Sequence, residues 1–420
     1  MTLQFYEHYE KYIKPNVSNL TESANNLSKS PSGMAGLFAI VLLFILIIVF
    51  AVNIIKGKEA TYMNKISIQQ QILALDYVPI TYDTSNNIVV VEPSGNGSNG
   101  SYNINDYYIY GSYNSCNISG RNTNNYMNIN ALKYVISQGV RFIDFEIYNL
   151  DNDPIIATSS IPDNYFIKES YNYIRFEEAL NIIISNAFNP TYAPNPIDPI
   201  LLNLRIKSTN MTMMTNLANY LYTYDNYLAG PKYSYEYLSC KMGPSTNVID
   251  KNIDCVNNNF TQLPLYFFKG KIIIIVDRSN TAILNCDKLM EFVNITTNSI
   301  NCRLITNHDM KYSPDQTELL EYNKKNMTIV TPDVGVNTEN PSINSATQLG
   351  IQINAINFSN NDDNMNSDMN YFITERRAFI LKPLKLRYIP IYITVPDPNP
   401  EGYSFSARTE NIPGLGETQF

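Results

Sequence analysis

The stretch VRFIDFEIYNLDNDPIIATSS, Val140 to Ser160, carries Asp144 and Glu146 two residues apart in an otherwise apolar run. Carboxylates at i and i+2 of a strand share one face. There they can work as a catalytic pair, hold a cation, or pair with a neighbouring arginine. In PILLNLRIKS, Pro199 to Ser208, the residues Asn203, Arg205 and Lys207 share a face in the same way, so two cations can point together. Histidine is scarce: the chain has 2, His8 and His308. His8 precedes a long apolar run and is separated by it from the rest of the chain. His308, in LITNHDMK, is the only one left for chemistry there, and a lone loop histidine is most often a surface residue. Catalysis by two histidines is excluded. The 5 cysteines, Cys116, Cys240, Cys255, Cys286 and Cys302, form no CxxC pair and no Cys/His cluster, which leaves no zinc or redox motif. Buried free thiols are their ordinary reading, although an oxidising compartment would allow one or two disulfides.

The elements that must position these residues alternate between helical and strand patterns. NALKYVISQG, Asn130 to Gly139, has apolar residues at helical spacing and a glycine stop, and VRFIDFEIY then alternates as a strand. FEEALNIIISNAF predicts a helix over Phe176–Phe188, PILLNLRIKS a strand, and MTMMTNLANYLYTYDNYL a helix over Met211–Leu228. GKIIIIVD, Gly270 to Asp277, is a nearly continuous apolar strand of the kind covered on both faces. Further strands are expected at CRLIT, MTIVT, GIQINAINF and AFILKP. Such a repeat suits a parallel α/β barrel with its site at the C-terminal ends of the strands, where Asp144 and Glu146 are expected to lie.

From Met34 to Ile55 the chain reads MAGLFAIVLLFILIIVFAVNII, with no charge and Asn53 as its one polar side chain. A helix of that length crosses a hydrocarbon core of roughly 30 Å. A cleaved signal peptide would be shorter and nearer the N-terminus. Lys56, Lys58 and Lys65 follow the span closely while Lys29 precedes it, which favours the large C-terminal part on the cytoplasmic side. The sequons Asn117-Ile118-Ser119 and Asn294-Ile295-Thr296 point the other way, but an Asn-rich chain produces such triplets by chance. Residues 1–33 read as a short polar segment and 34–55 as a transmembrane helix. Residues 56–105 form a stalk and linker, with a helix over Glu59–Leu75, a strand over Asn86–Pro93 and a flexible Ser94–Ser101. Residues 106–392 form the barrel and 393–420 a tail.

Hydrophobic residues make up 44% of the 420 positions, enough to bury a full core. With 38 acidic against 30 basic residues and no basic block, the net charge of -8 excludes a phosphate-neutralising surface, and no nucleic-acid partner is expected. The abundance of Asn and Ile and the absence of Trp reflect an AT-rich coding bias.

The ordered succession ALKYVISQGVRFIDFEIYN, DPIIATSS, FEEALNIIISNAF and DPILLNLRIKS resembles the X region of eukaryotic-type phosphoinositide-specific phospholipase C, as does YFFKGKIIIIVD. TIVTPDVGVNTENPSINSATQLGIQINAINF and AFILKPLKLR resemble its Y region, so that the likeness runs from about Tyr110 to Arg387. The resemblance implies a (β/α)8 TIM barrel of the phospholipase C-like phosphodiesterase type. It also implies cleavage of inositol lipids by two histidines, with a calcium ion held by Asn, Glu, Asp and Glu that offsets phosphate charge.

Carried over position by position, the first histidine of that family falls on Tyr113 and the Asn ligand on Asn114. Asp144 and Glu146 take the next two ligand positions with their identities exchanged. The histidine-glycine pair falls on Ala157-Thr158, and the last Glu ligand falls on Arg205. Lysines that would grip ring phosphates fall near Ile275 and Asp277, and the inositol-stacking segment becomes Thr328-Ile329-Val330-Thr331. Asn114 and two acids could still hold a weak ion, but Arg205 opposes it, and the expectation is a guanidinium in the metal's place, paired with Asp144 or Glu146.

With these departures the resemblance implies a catalytically inactive barrel, a pseudoenzyme without metal or cofactor; the apolar run makes it single-pass in a membrane, and other structural proteins are its expected partners. No lipid-binding, EF-hand or C2 module is recognisable. Together with the coding bias this suggests a large DNA virus and a virion-membrane or capsid-associated component. The alternatives are a calcium-dependent phosphodiesterase on phosphoinositide or glycerophosphodiester head groups, with relocated groups such as His308, and a non-cleaving head-group binder using Arg205 and Lys207.

Overall fold

The computed structural model describes residues 31–75, 102–118, 120–161, 167–234, 259–336, 338–389 and 406–419, together with Lys29. The strand expected over Asn86–Pro93, the linker Ser94–Ser101, His8, Cys240 and Cys255 lie outside the described residues. Helix α1, Pro31–Leu75, is continuous over 45 residues. It joins the two segments expected as separate, because Gly57 alone costs a helix only about 1 kcal/mol. Within it Phe38–Lys56 is a candidate membrane span with a mean hydropathy of 3.3 and no buried residue.

The remaining elements follow in the order β1 Tyr107–Ser112, α2 Ile129–Ser137, β2 Phe142–Leu150, β3 Asp153–Ala157, β4 Ile174–Arg175, α3 Phe176–Ile182, β5 Ile200–Lys207 and α4 Met211–Tyr222. After these come β6 Ile272–Asp277, α5 Asp287–Met290, β7 Val293–Thr297, β8 Cys302–Thr306, α6 Asn307–Lys311, α7 Gln316–Lys325 and β9 Met327–Thr331. The last are α8 Ile343–Gln348, β10 Ile353–Ile356, α9 Asp363–Glu375, β11 Phe379–Leu381, β12 Thr409–Ile412 and β13 Gly416–Gln419. Eight strands in the order β7-β6-β5-β2-β1-β10-β9-β8 form the sheet, each hydrogen-bonded pair parallel, which makes a nearly closed TIM barrel. The seam falls between β7 and β8, joined by residues 298–301 with no helix between them.

Alternation sorts the side chains. Phe142, Leu201, Ile273, Ile275, Ile329 and Ile353 belong to the cluster inside the barrel, while Ile143, Phe145, Leu202, Leu204 and Ile274 pack outward with α3 and α4. Burial on both faces explains why β6 reads IIIIVD.

Four expectations change. Helix α4 stops at Tyr222 rather than Leu228, because Ala229 N–H donates to Ile272 O at 3.0 Å and draws Leu228 beside β6. The Phe176–Phe188 helix is α only to Ile182 and widens to a π turn over Ile183–Ala187, whose last carbonyl accepts from the buried Arg141 guanidinium at 3.0 Å. β2 runs past Tyr148 to Leu150 because β3 folds back on it as an antiparallel partner, so Asp144 and Glu146 lie within the strand and not at its end. AFILKP supplies β11, which pairs antiparallel with β1 and stays off the barrel path. The sequence patterns give no strand at β1, β3, β4, β7 or the C-terminal hairpin β12–β13.

Candidate functional site

The adjacency of β2 and β5 builds the site. Their parallel register sets Asp144 opposite Asn203, Glu146 opposite Arg205 and Tyr148 opposite Lys207. Phe142 and Leu201 lie one step below as an apolar floor. Because side chains repeat every second residue, both sets point to the barrel interior.

Arg205 is 7% exposed and stands between the two acids. Its Nε donates to Asp144 Oδ1 at 3.0 Å and one Nη2 hydrogen goes to Asp144 Oδ2 at 2.7 Å, a fork on a single carboxylate. The other Nη2 hydrogen goes to Asn114 Oδ1 at 2.7 Å. Nη1 donates to Glu146 Oε1 at 2.6 Å and to the Tyr113 hydroxyl at 3.4 Å. A guanidinium has five N–H donors, and all are used. The Tyr113 ring lies under the cation with its centroid 4.5 Å from Cζ. Burial opposes the charge on Arg205, but Asp144, Tyr113 and Glu146 outweigh it and hold its pKa well above the ordinary value. Burial pushes the Tyr113 hydroxyl up to about 12 against the pull of Arg205, so it stays a neutral phenol.

The acids are equally occupied. Asp144 Oδ1 also accepts from Asn203 Nδ2 at 2.7 Å, and Oδ2 from the Asn114 backbone N–H at 3.0 Å. Glu146 Oε2 accepts from the Tyr148 hydroxyl at 2.8 Å and the Ser159 N–H at 3.1 Å. Burial and then Glu146 push the Tyr148 pKa upward, which keeps that hydroxyl a donor.

A calcium ion takes six to eight oxygen ligands at 2.3–2.6 Å. Every side-chain oxygen that Asn114, Asp144 and Glu146 could offer it already accepts a hydrogen bond, and a fixed positive charge fills the space between them. The residues do not fit the metal. Among the described residues no cluster of three His, Cys, Asp or Glu side chains could hold one either.

The loop after β1 closes the mouth. Asn114 adopts a left-handed φ of 44° and passes its amide on to Asn122 Oδ1 at 3.2 Å. Asn122 donates to the carbonyls of Val336 at 3.2 Å and Gly335 at 3.1 Å, and the Asn124 N–H to Glu169 O at 3.1 Å. Gly120, at φ +69°, donates its N–H to Ser359 Oγ at 2.8 Å, and a Cβ there would meet Ser359 O at 2.9 Å. Thus the loops after β1, β3, β9 and β10 are stitched together.

The other sequence candidates sit apart from this cluster or add nothing reactive to it. Ala157 pairs with Glu146 across the β2–β3 ladder, and Thr158 is buried with its carbonyl taken by the Glu169 and Ser170 N–H groups. His308 lies on α6 with its imidazole 69% exposed, beside Asp309 at 3.9 Å and the Tyr312 ring at 4.7 Å. Ile275 is barrel core, and Asp277 Oδ1 accepts from Ser279, Thr297 and Asn298, tying β6 to β7. Lys207 is buried on the same face as Arg205. Tyr148 and Ser159, which hold Glu146, were not anticipated. The i+2 spacing from Glu146 could have found Tyr148, but nothing local marks the Ser159 N–H.

No family model matches the sequence, and no curated protein matches it. Among solved structures, PLC21 of S. officinalis superposes with a TM-score of 0.53 at 17% identity, covering 70% of this chain and 38% of that one. PLC21 of L. pealei gives 0.52 at 18% identity, covering 70% and 39%. This chain therefore spans about two fifths of the length of either protein. A calcium-dependent phosphoinositol-specific phospholipase C from a Pseudomonas sp. follows at 0.39 and 10% identity, covering 67% and 94%. The fold is that of a phospholipase C-like TIM barrel.

Proposed function

We propose that the chain is a membrane-anchored phospholipase C-like barrel that does not cleave phosphodiesters and acts as a structural or interaction protein. The observation that carries this reading is the saturation of Arg205, whose five donors are spent on the acids, amide and phenol that a catalytic cation or phosphate would need. Phosphodiester cleavage also requires a general acid and base within reach of the reacting oxygens. Tyr113, Ala157 and Thr158 supply none at the mouth, and the His308 ring, exposed on α6, lies beside Asp309 and Tyr312. A non-cleaving head-group site would need Arg205 to leave its carboxylates, at the cost of two buried charges.

The exposed apolar stretch of α1 supports anchoring, and the lysines that follow it favour the cytoplasmic side for the barrel. Within this reading the narrowest assignment is a virion-membrane or minor capsid-associated component, in which the barrel bridges a membrane to neighbouring protein. The test is turnover of labelled phosphatidylinositol in mixed micelles by the full chain, with calcium and with a chelator. No release above background is expected in either. Release that Asp144→Asn abolishes would establish a working phosphodiesterase instead.

A further inference from the structure

The barrel contains six N-x-S/T triplets, at Asn117, Asn210, Asn259, Asn294, Asn326 and Asn357. An asparagine that carries a glycan needs its Nδ2 in open solvent, which is why used triplets lie on surface loops. Four of these asparagines are buried: Asn117 at 4%, Asn259 at 7%, Asn294 at 2% and Asn357 at 2% exposure. Asn294 lies in β7, where its Nδ2 donates to Tyr233 O at 2.9 Å and its Oδ1 accepts from Ile274 N–H at 2.9 Å. Asn259 spends both amide hydrogens, on Lys325 O at 3.0 Å and Asn326 Oδ1 at 2.9 Å. Asn117 Nδ2 donates to Arg121 O at 2.8 Å. Even the less buried Asn210 is committed, capping α4 through Met213 N–H at 3.0 Å and donating to Asn152 Oδ1 at 2.9 Å.

N-linked glycans are transferred to the chain before it folds, when every triplet is accessible. A glycan on Asn294 or Asn259 could not be accommodated afterwards, since the amide that carries it is a fixed internal strut. A second, independent feature points the same way. The described cysteines Cys116, Cys286 and Cys302 are unbridged and buried. Burial pushes the thiols of Cys116 and Cys302 upward, which suits inert thiols in a reducing compartment.

We infer that the barrel folds only on the face of the membrane that is never exposed to glycan transfer, so that its six triplets are silent and residues 1–33 lie on the opposite, translocated face. This rests on the reading that α1 spans the membrane. It adds a packing argument to the lysine count close to the span, three after it against one before it, and it makes the triplets consistent with that orientation.

The test uses the full chain with a C-terminal epitope, synthesised in the presence of endoplasmic-reticulum vesicles. The expected result is a carbonate-resistant chain whose epitope is digested by protease in intact vesicles. Any endoglycosidase-sensitive mobility shift should vanish when Asn16, Asn19 and Asn26, the triplets that precede the span, are changed to Gln. An epitope protected until detergent is added would overturn the inference, as would a glycan shift that survives the triple change. Extraction by carbonate would instead remove the spanning reading, and the inference with it.

Discussion

Two arginines of this barrel make nearly the same contacts in different solvents. Arg303 forks onto Glu318 at 2.8 and 2.7 Å with the Tyr322 ring 3.8 Å from its Cζ, and Arg205 forks onto Asp144 with the Tyr113 ring beneath it. Arg303 and Glu318 are 36% and 51% exposed at their side chains, against 8% and 0% for Arg205 and Asp144. Water can replace the partner of the first pair if it is lost. It cannot reach the second, so identical chemistry is optional on the surface and obligatory in the mouth. A third buried acid, Asp368, marks what happens without a cation. It receives only Asn354 Nδ2, at 2.7 Å, and burial pushes its pKa up to about 8. Asp144 and Asp368 thus show two outcomes for a buried carboxyl, one given a guanidinium and one driven towards its neutral form.

The largest effect is expected from Arg205→Met, which strands Asp144 and Glu146. Chemical denaturation should report a loss of about 3–5 kcal/mol. Adding Asp144→Asn and Glu146→Gln should recover much of it, and an unchanged midpoint in the single variant would erase the contrast between the two arginines. Next comes Arg205→Glu, which sets a third carboxylate beside the two acids and Asn114. Calcium at 100 times its Kd should then raise stability by about 2.7 kcal/mol. The unaltered chain should give the same melting temperature in calcium and in chelator, and a calcium response of that chain would contradict the geometry of the site.

The Asp368 comparison is sharpened by pH. Its pKa is raised on folding, so the folded state holds a proton that the unfolded state releases, and the associated stability is present below about pH 4 and lost as pH rises to about 8. The slope should approach about 1.4 kcal/mol per pH unit in that window and flatten in Asp368→Asn. Urea melts at pH 5 and pH 8 measure this directly. The smallest effect belongs to Arg303→Ala, at about 0.2–1 kcal/mol and shrinking in high salt. A loss as large as that of Arg205→Met would mean that exposure is not what separates them.

How much of this was legible before folding differs by residue. Alternation in VRFIDFEIY and PILLNLRIKS puts Asp144 with Glu146 and Asn203 with Arg205, because strand geometry is local. The shortage of histidine and the arginine at position 205 are facts of composition and order, and no packing alters them. The β1 strand is illegible in the sequence because YYIYGS is apolar or small throughout, with no alternation; it is buried on both faces. The role of Ser159 and the Asn122 bridge to Gly335 leave no local trace, since those contacts join backbone groups to residues 13 and 213 positions away.

Sequence by itself thus determined the apolar span, six of the eight barrel strands, the charges available to the mouth and the histidines it lacks. Tertiary structure alone decided that β2 and β5 lie in a register bringing Glu146 level with Arg205. It also decided that β1 delivers Tyr113 and Asn114 across the mouth, so that all five guanidinium donors find acceptors at once. The physical reason is that pairing between strands is fixed by the whole barrel's closure and packing, whereas the direction in which a side chain leaves its own strand is fixed by the next residue.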